Sequence, residues 1–413
     1  MSTKKVPLSS LADYINGYAF KPDDFTDTGL PVIRIEQLKN RGAVCDLYNG
    51  AIPTKNYIRN GDLIFSWSAS LFLQIWDRGP ALLNQHLFRV IPRTGVDSTF
   101  LKYRIEASLP DLVNAAHGST MQHITRKELD KCIVSIPIRE IEQRKVAEII
   151  ATVDRATEQA ESLIAKYQRV KTGLMQDLLT RGIDEHGNLR SEATHKFKDS
   201  PLGRIPVEWK SVPLSQIAIR ITSGSRGWAA FYSDEGALFI RIGNLTRRHV
   251  HLRWDDVQYV KPPESSEGQR TSLEHGDLLI SITADLGIIG VVPEGIGEAY
   301  INQHIALVKL DRERVNPWFV GNLLAGENAQ NWISQLNESG AKAGLNLPTV
   351  ASLPILLPPI QEQNLIVETF QKTERRLVSE QKQLEKLKVL KTGLMQDLLT
   401  GRIPVEPLLE TGV

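Results

Sequence analysis

The ten residues "KTGLMQDLLT" occupy Lys171–Thr180 and return letter for letter at Lys391–Thr400, 220 positions later. Ten identical residues in order do not arise by chance, and a period this long exceeds that of any solenoid repeat. The decapeptide therefore marks the duplication of a domain-sized unit. Further pairs precede it in the same order in both copies: "VPLSSL" at Val6 with "VPLSQI" at Val212, "VIRIEQL" at Val32 with "FIRIGNL" at Phe239, "GDLIFS" at Gly61 with "GDLLIS" at Gly276, and "NQHLFRV" at Asn84 with "NQHIALV" at Asn302. Their offsets climb through 206, 207, 215 and 218 to the final 220. A stepwise drift means loop insertions in the second copy on a retained scaffold.

Each copy opens with short β-type runs between turn signals, "PVIRI", "GDLIFSW" and "HLFRVI" in the first and "LFIRI", "GDLLISI" and "HIALVKL" in the second. A helix is predicted next, capped by Asp97 in one copy and by Asn316 with Pro317 in its first turn in the other. Each copy ends in a long helical pattern. Val146, Ile149, Val153, Ala156, Ala160, Leu163, Tyr167, Val170 and Leu174 alternate spacings of three and four, a heptad seam. Ile366, Phe370, Thr373, Leu377, Leu384, Leu387 and Leu394 form a less apolar stripe of the same kind. Pairing of the two helices into a coiled coil, with a rod of roughly 60 Å at 1.5 Å per residue, is the simplest use of these seams. Gly173 and Gly393 each cost about 1 kcal/mol relative to Ala in a helix, which predicts either close approach of another backbone or a local break. The decapeptide itself either packs the end of the rod against the other repeat or docks a partner subunit. "GRIPVE" at Gly203 recurs at Gly401, so the chain's end reads as the start of a third unit, reaching the first domain near "KKVPLS".

The bulk numbers exclude several classes. A chain of 413 residues with 41% apolar content holds two or three ordinary cores. Its longest apolar runs contain proline and are too short to span a membrane, and "MSTKKVPLSS" lacks the apolar core of a signal peptide, so the expectation is a cytoplasmic protein with no membrane partner. Cys45 and Cys132 read as reduced thiols. A net charge of +1 requires any nucleic-acid surface to be built by local sorting of Lys and Arg. No "GxxxxGK[ST]", "GxGxxG" or "HExxH" is present; "NPWF" at Asn316 lacks the second proline of adenine-methyltransferase motifs, and the first copy has "DSTF" there. No metal ligand set and no catalytic set emerges. The paired His86 and His304 of "NQH" read as hydrogen-bonded structural residues. The chain reads as a binding protein.

The duplicated sheet-rich domains, the two heptad rods, "GRIPVEW", "NQH" after a "GDL" strand, "EQ" opening each rod at Glu142-Gln143 and Glu362-Gln363, and the closing "KTGLMQDLLT" together resemble the specificity subunits of Type I restriction-modification systems, over nearly the whole chain. The resemblance implies an α+β fold of two pseudo-symmetric target-recognition domains, each with a mixed sheet, separated by two long helices forming an antiparallel coiled coil. The corresponding division is residues 1–138 for the first recognition domain, 139–182 for the first spacer helix, 183–202 for a linker, 203–358 for the second recognition domain and 359–413 for the second spacer helix and tail. It further implies double-stranded DNA as ligand, each domain reading half of a split target. The chain itself would be non-catalytic. Two modification subunits, adenine methyltransferases using S-adenosylmethionine, and restriction subunits, ATP- and Mg-dependent translocases and endonucleases, would be the partners, with no cofactor in this chain. One departure is "IPIREIEQ" at Ile136, where the second copy has "LLPPIQEQ".

Base readout needs polar side chains on groove-facing loops, and the best positions are those that differ between copies on a shared scaffold. In the first copy these are Trp67, Ser68, Gln74, Ser119, Gln122 and Arg126; in the second, Ser225, Arg226, Trp228, Thr283, Asp285, Lys342 and Asn346. Arg34 and Arg241, which do not differ, read as scaffold or phosphate contacts. Gly173, Met175 and Gln176, with Gly393, Met395 and Gln396, are the candidates for the helix-end or partner contact. The competing class is a coiled-coil scaffold whose terminal domains bind protein.

Overall fold

Two sheet-bearing units, each completed by stretches of two long helices, make up the computed structural model, which describes residues 2–67, 70–115, 124–224, 226–262, 266–338 and 345–410. One unit comprises Met1–Ser162 with Gln381–Val413, the other Leu163–Glu380.

In the first unit, strands Ala12–Asn16, Leu87–Pro92, Leu63–Ser66 and Phe72–Ile75 form an antiparallel sheet in that spatial order. Leu63–Ser66 is buried at every residue, as expected for an inner strand covered on both faces. A second four-stranded sheet runs Asp46–Tyr48, Leu30–Ile33, Ala81–Leu83 and Tyr57–Ile58, with Leu30–Ile33 and Ala81–Leu83 parallel. The start of the chain pairs with the strand before the first long helix, Thr3–Pro7 against Ile133–Pro137. The second unit repeats the first sheet as Ala218–Ser223, Ile305–Leu310, Leu278–Ser281 and Ile289–Val291, and the terminal pair as Lys210–Pro213 against Pro354–Leu357. Its second sheet keeps the parallel pair, Ala237–Ile240 with Ala299–Ile301.

Short-range chemistry explains why the shared motifs recur. Gly61 and Gly276 of "GDL" sit at φ +94° and +80°, where a side chain is strained. The following aspartate closes the turn by accepting from Arg59 N (2.8 Å) in one copy and Glu274 N (2.8 Å) in the other. The predicted caps are in place, since Asp97 Oδ1 accepts from Phe100 N (2.8 Å) and Asn316 Oδ1 from Trp318 N (2.9 Å). The glutamine of each "EQ" ties helix to domain. Gln143 accepts from Asp97 N and donates to the Gly95 and Pro137 carbonyls; Gln363 accepts from Asn316 N and donates to those of Arg314 and Pro358.

The long helices span Glu140–Leu178 and Ile360–Leu398, 39 residues each, both unbroken through the glycines. Segments of the two run antiparallel in the first unit, where Lys391 meets Asp154 (2.7 Å) and Lys388 meets Glu161 (3.9 Å). In the second unit Lys171 meets Glu374 at 3.1 Å. Of the seam, Val146, Val153, Ala160, Ile366 and Phe370 are buried, whereas Val170 is 41% exposed. Neither expectation for the glycines, close approach of another backbone or a local break, is met within the described residues: a Cβ built on Gly173 or Gly393 meets nothing within 4 Å, and both helices run unbroken through them.

The decapeptide's leucines enter the cores. Leu178 and Leu179 join the second unit's main cluster with Trp209 and Phe319, and Leu398 and Leu399 join the first unit's with Leu8 and Phe100. Val405 of the tail is buried in that same cluster, so the chain's end does reach the first domain. Residues 181–209 strap the second unit. Within them Phe197–Ser200 pairs with Gly203–Pro206, and the buried Glu362 receives Ile183 N (2.8 Å), both Arg190 Nη groups and Trp209 Nε1 (3.3 Å).

Candidate nucleic-acid interface

In each unit the inner strand of the antiparallel sheet ends at a loop, in a serine whose hydroxyl bonds the carbonyl four residues on. Ser66 Oγ donates to the Ser70 carbonyl (2.5 Å), and Ser281 Oγ to the Asp285 carbonyl (2.5 Å). Beside the loop lies the "NQH" turn, where Asn84 and Asn302 each accept from the histidine N–H two residues on (3.3 and 3.2 Å). A glycine is required against this turn, since a Cβ on Gly17 or Gly224 would stand 2.2 or 2.1 Å from the Asn84 or Asn302 carbonyl oxygen. Backbone hydrogen bonds from Ile124 N to Trp67 O (3.2 Å) and from Leu345 N to Ile282 O (3.1 Å) join the loop to the segment entering the last small helix of each domain. The scaffold of this loop cluster is therefore common to both units, while the loop reads Trp-Ser-Ala-Ser in one and Ile-Thr-Ala-Asp in the other.

The sequence-derived candidates fall in different surroundings. Trp67 is half-buried, its ring tilted against Phe88 (5.4 Å) and near His86 (6.3 Å). Thr283 hydrogen-bonds His304 Nδ1 (2.6 Å), and Asp285 pairs with Arg247. These three belong to the loop cluster. Gln74 lies half-buried on the edge strand opposite Ile64. Arg126 donates to the Tyr14 carbonyl (2.8 Å), while Arg226 is exposed. Trp228 has to be corrected: it is 2% exposed, stacked at 10° on Phe239 (5.5 Å) and packed on Tyr300 (5.2 Å), which leaves no ring face for a base. Asn346 caps a helix by accepting from Thr349 N (2.8 Å). Ser68, Ser119, Gln122, Ser225 and Lys342 lie outside the described residues.

Arg34 and Arg241 occupy equivalent places. Their N–H groups donate to Gln37 (3.1 Å) and Asn244 (2.9 Å), and their guanidinium groups pair with Asp46 (2.6 Å) and Asp256 (2.8 Å). Sequence reasoning missed two cations that reach the loops. Lys39 Nζ donates to Ser70 Oγ (2.6 Å), and Arg247 holds Asp285. The available signal was a basic residue shortly after the repeated "RIxxL" in both copies.

The decapeptides supply a second repeated constellation. Lys171 pairs with Glu374, which His251 Nε2 also approaches at 2.9 Å; because a carboxylate only accepts, that imidazole nitrogen carries the proton. Lys391 pairs with Asp154, which also accepts from Tyr103 OH (2.8 Å). Burial, then the bond to Asp154, pushes the Tyr103 phenol well above its ordinary value. Thr172 and Gln176 are exposed and Gly173 half-buried in one helix, Thr392, Gly393 and Gln396 are exposed in the other, and Met175 and Met395 pack partly against the cores. In the second unit a cavity of about 170 Å³ lies between Met175, Gln176 and Leu179 on the helix and Leu323, Gly326 and Ala329 on the domain. Among the described residues there is no group of three or more potential metal ligands, and no helix long and apolar enough to cross a membrane.

Comparisons with known proteins agree with this duplicated arrangement. The profile of the Type I restriction modification DNA specificity domain matches twice, over residues 2–166 and 206–389. The Type I restriction enzyme MjaVIII specificity subunit of Methanocaldococcus jannaschii is 22% identical over 410 residues, covering 98% of this chain and 93% of its own. The Type I restriction enzyme EcoBI specificity subunit of Escherichia coli is 24% identical, covering 96% and 84%. Among solved structures, the S subunit of a Type I restriction-modification system from M. genitalium superimposes with a TM-score of 0.59 at 16% identity, over 97% of this chain and 96% of that one. A second, from work on complex assembly of the type I R-M system, gives 0.56 at 16% identity, over 97% and 98%. With two copies of the family's domain covering most of its length, the chain belongs to the Type I restriction modification DNA specificity domain family.

Proposed function

We propose that this chain is the DNA-sequence specificity subunit of a Type I restriction-modification complex, each sheet domain reading one half of a bipartite target. The observation that carries the reading is the pair of loop clusters with the same serine closure and different contents. A duplicated scaffold that varies where side chains are exposed is what reading two different half-sites requires. Trp67, Thr283, Asp285, Arg226 and Gln74 remain the base-reading candidates, with Arg34 and Arg241 at scaffold or phosphate positions. The long helices set the spacer between half-sites.

Catalysis and cofactors belong to partners in this reading. Two modification subunits using S-adenosylmethionine would each meet one decapeptide face, Gly173, Met175 and Gln176 or Gly393, Met395 and Gln396. Restriction subunits using ATP and Mg would join the assembled complex in the cytoplasm. Identical surfaces presented twice support two copies of one partner. Selection from random duplex DNA by the purified complex tests the proposal: a split motif with a fixed gap is expected, and failure to enrich one favours the coiled-coil scaffold that binds protein.

A further inference from the structure

The fourth position of the serine-closed loop differs in chemistry between the two units, and in each it is held by a cation from outside the loop. In the first, neutral Ser70 accepts from Lys39. In the second, Asp285 Oδ1 accepts from Arg247, whose guanidinium is anchored again on the Leu286 carbonyl (2.8 Å) and Gln330 Oε1 (2.7 Å). The Asp285 side chain is 58% exposed, and none of the described residues donates to its Oδ2. The residue before it, Ala284, is at φ +58°, the sole non-glycine with positive φ among the described residues. Such a backbone is held only where surrounding structure fixes it, and strain of this kind concentrates at binding sites.

A carboxylate in a DNA-reading loop is repelled by phosphates unless its charge is offset, and it can only accept hydrogen bonds. Arg247 offsets the charge and holds one oxygen, leaving the other on an exposed side chain to accept from outside the loop. The donors that base edges offer in the major groove are cytosine N4 and adenine N6. We infer that Asp285, clamped by Arg247, accepts a hydrogen bond from the exocyclic amino group of a cytosine or adenine in the half-site read by the second domain. This rests on the DNA-reading proposal above. Ser70, which both donates and accepts, imposes no such restriction on the first half-site.

The test is selection from random duplex pools by the assembled complex carrying wild-type chain, Asp285→Ala or Asp285→Asn. The wild type is expected to prefer one base pair over its strand-swapped counterpart by about tenfold or more at one position of one half-site, because the swap moves the amino donor across the groove. Asp285→Ala is expected to lose that preference and Asp285→Asn, which adds a donor, to admit acceptor-bearing bases there, with the other half-site unchanged. Arg247→Gln is expected to relax the same position. The inference is overturned if both Asp285 variants select the wild-type motif, or if both half-sites are lost together, which marks a structural role. If the wild type enriches no split motif, the DNA-reading proposal falls and this inference with it; a wild-type motif untouched by Asp285 sinks the inference alone.

Discussion

Glu374 accepts from His251 Nε2 and lies against Lys171, and these partners hold its carboxyl at about 2, below the ordinary 4.5, despite a burial that works the other way. A carboxyl depressed by folding contributes stability above its unfolded value and loses it as the pH falls from about 4.5 toward 2. With the side chain a quarter exposed, the discounted contribution is about 2 kcal/mol. Glu374→Gln is therefore expected to lower the stability of the second unit at pH 7, with the difference from wild type closing as the pH drops through that window in denaturant titrations. The glycines give a contrasting case. Since a Cβ on Gly173 or Gly393 meets nothing within the chain, Gly→Ala at either site is expected to stabilise the isolated subunit by about 0.5 to 1 kcal/mol. Bulky replacements such as Gly173→Trp with Gly393→Trp are expected to weaken capture of modification subunits while leaving half-site preference intact; unimpaired pull-down would remove the glycines from the partner surface.

At the scale of elements, the decapeptide joins a polar clasp and an apolar plug about two helical turns apart. Lys171 or Lys391 clasps the opposing helix, and Leu178-Leu179 or Leu398-Leu399 plugs a domain core. Leu399→Ala, which empties a fully buried site, is expected to cost about 2–5 kcal/mol in the first unit and to lower its unfolding midpoint in calorimetry. Patterns of short range made much of this legible: the heptad seam, the Asp97 and Asn316 caps and the "GDL" turn each depend on residues within a few positions of one another. What stayed hidden depends on distance in sequence. Lys39 meets Ser70 across 31 residues and Arg247 meets Asp285 across 38, pairings that no local pattern announces. Trp228 misled for the same reason, because its exposure is decided by Phe239 and Tyr300. A helical glycine signals that space is wanted but not on which side, so Gly173 could be placed only once the surrounding atoms were known.

At the scale of the molecule, the two clasps define equal lengths of helix. Asp154 and Lys171 are 17 residues apart on the first long helix, and Glu374 and Lys391 are 17 apart on the second. Each clasp lies wholly within one unit, so helix removed between them spares both clasps and forfeits at most the weak Lys388–Glu161 pair and one repeat of the seam. Seven residues are close to two full turns, so excising a heptad from both 155–170 and 375–390 keeps the apolar stripes facing each other to within about 20°. The pair shortens by about 10 Å at 1.5 Å per residue, which corresponds to about three base pairs at 3.4 Å each. The double deletion is expected to select the same two half-sites with a gap about three base pairs shorter in the random-duplex assay. A deletion in one helix alone breaks the match of 17 against 17 and is expected to lose stability instead, seen as a lowered melting temperature. If the double deletion assembles and binds with an unaltered gap, the helices do not set the spacer, and the spacing between half-sites has to come from the partner subunits that hold the DNA.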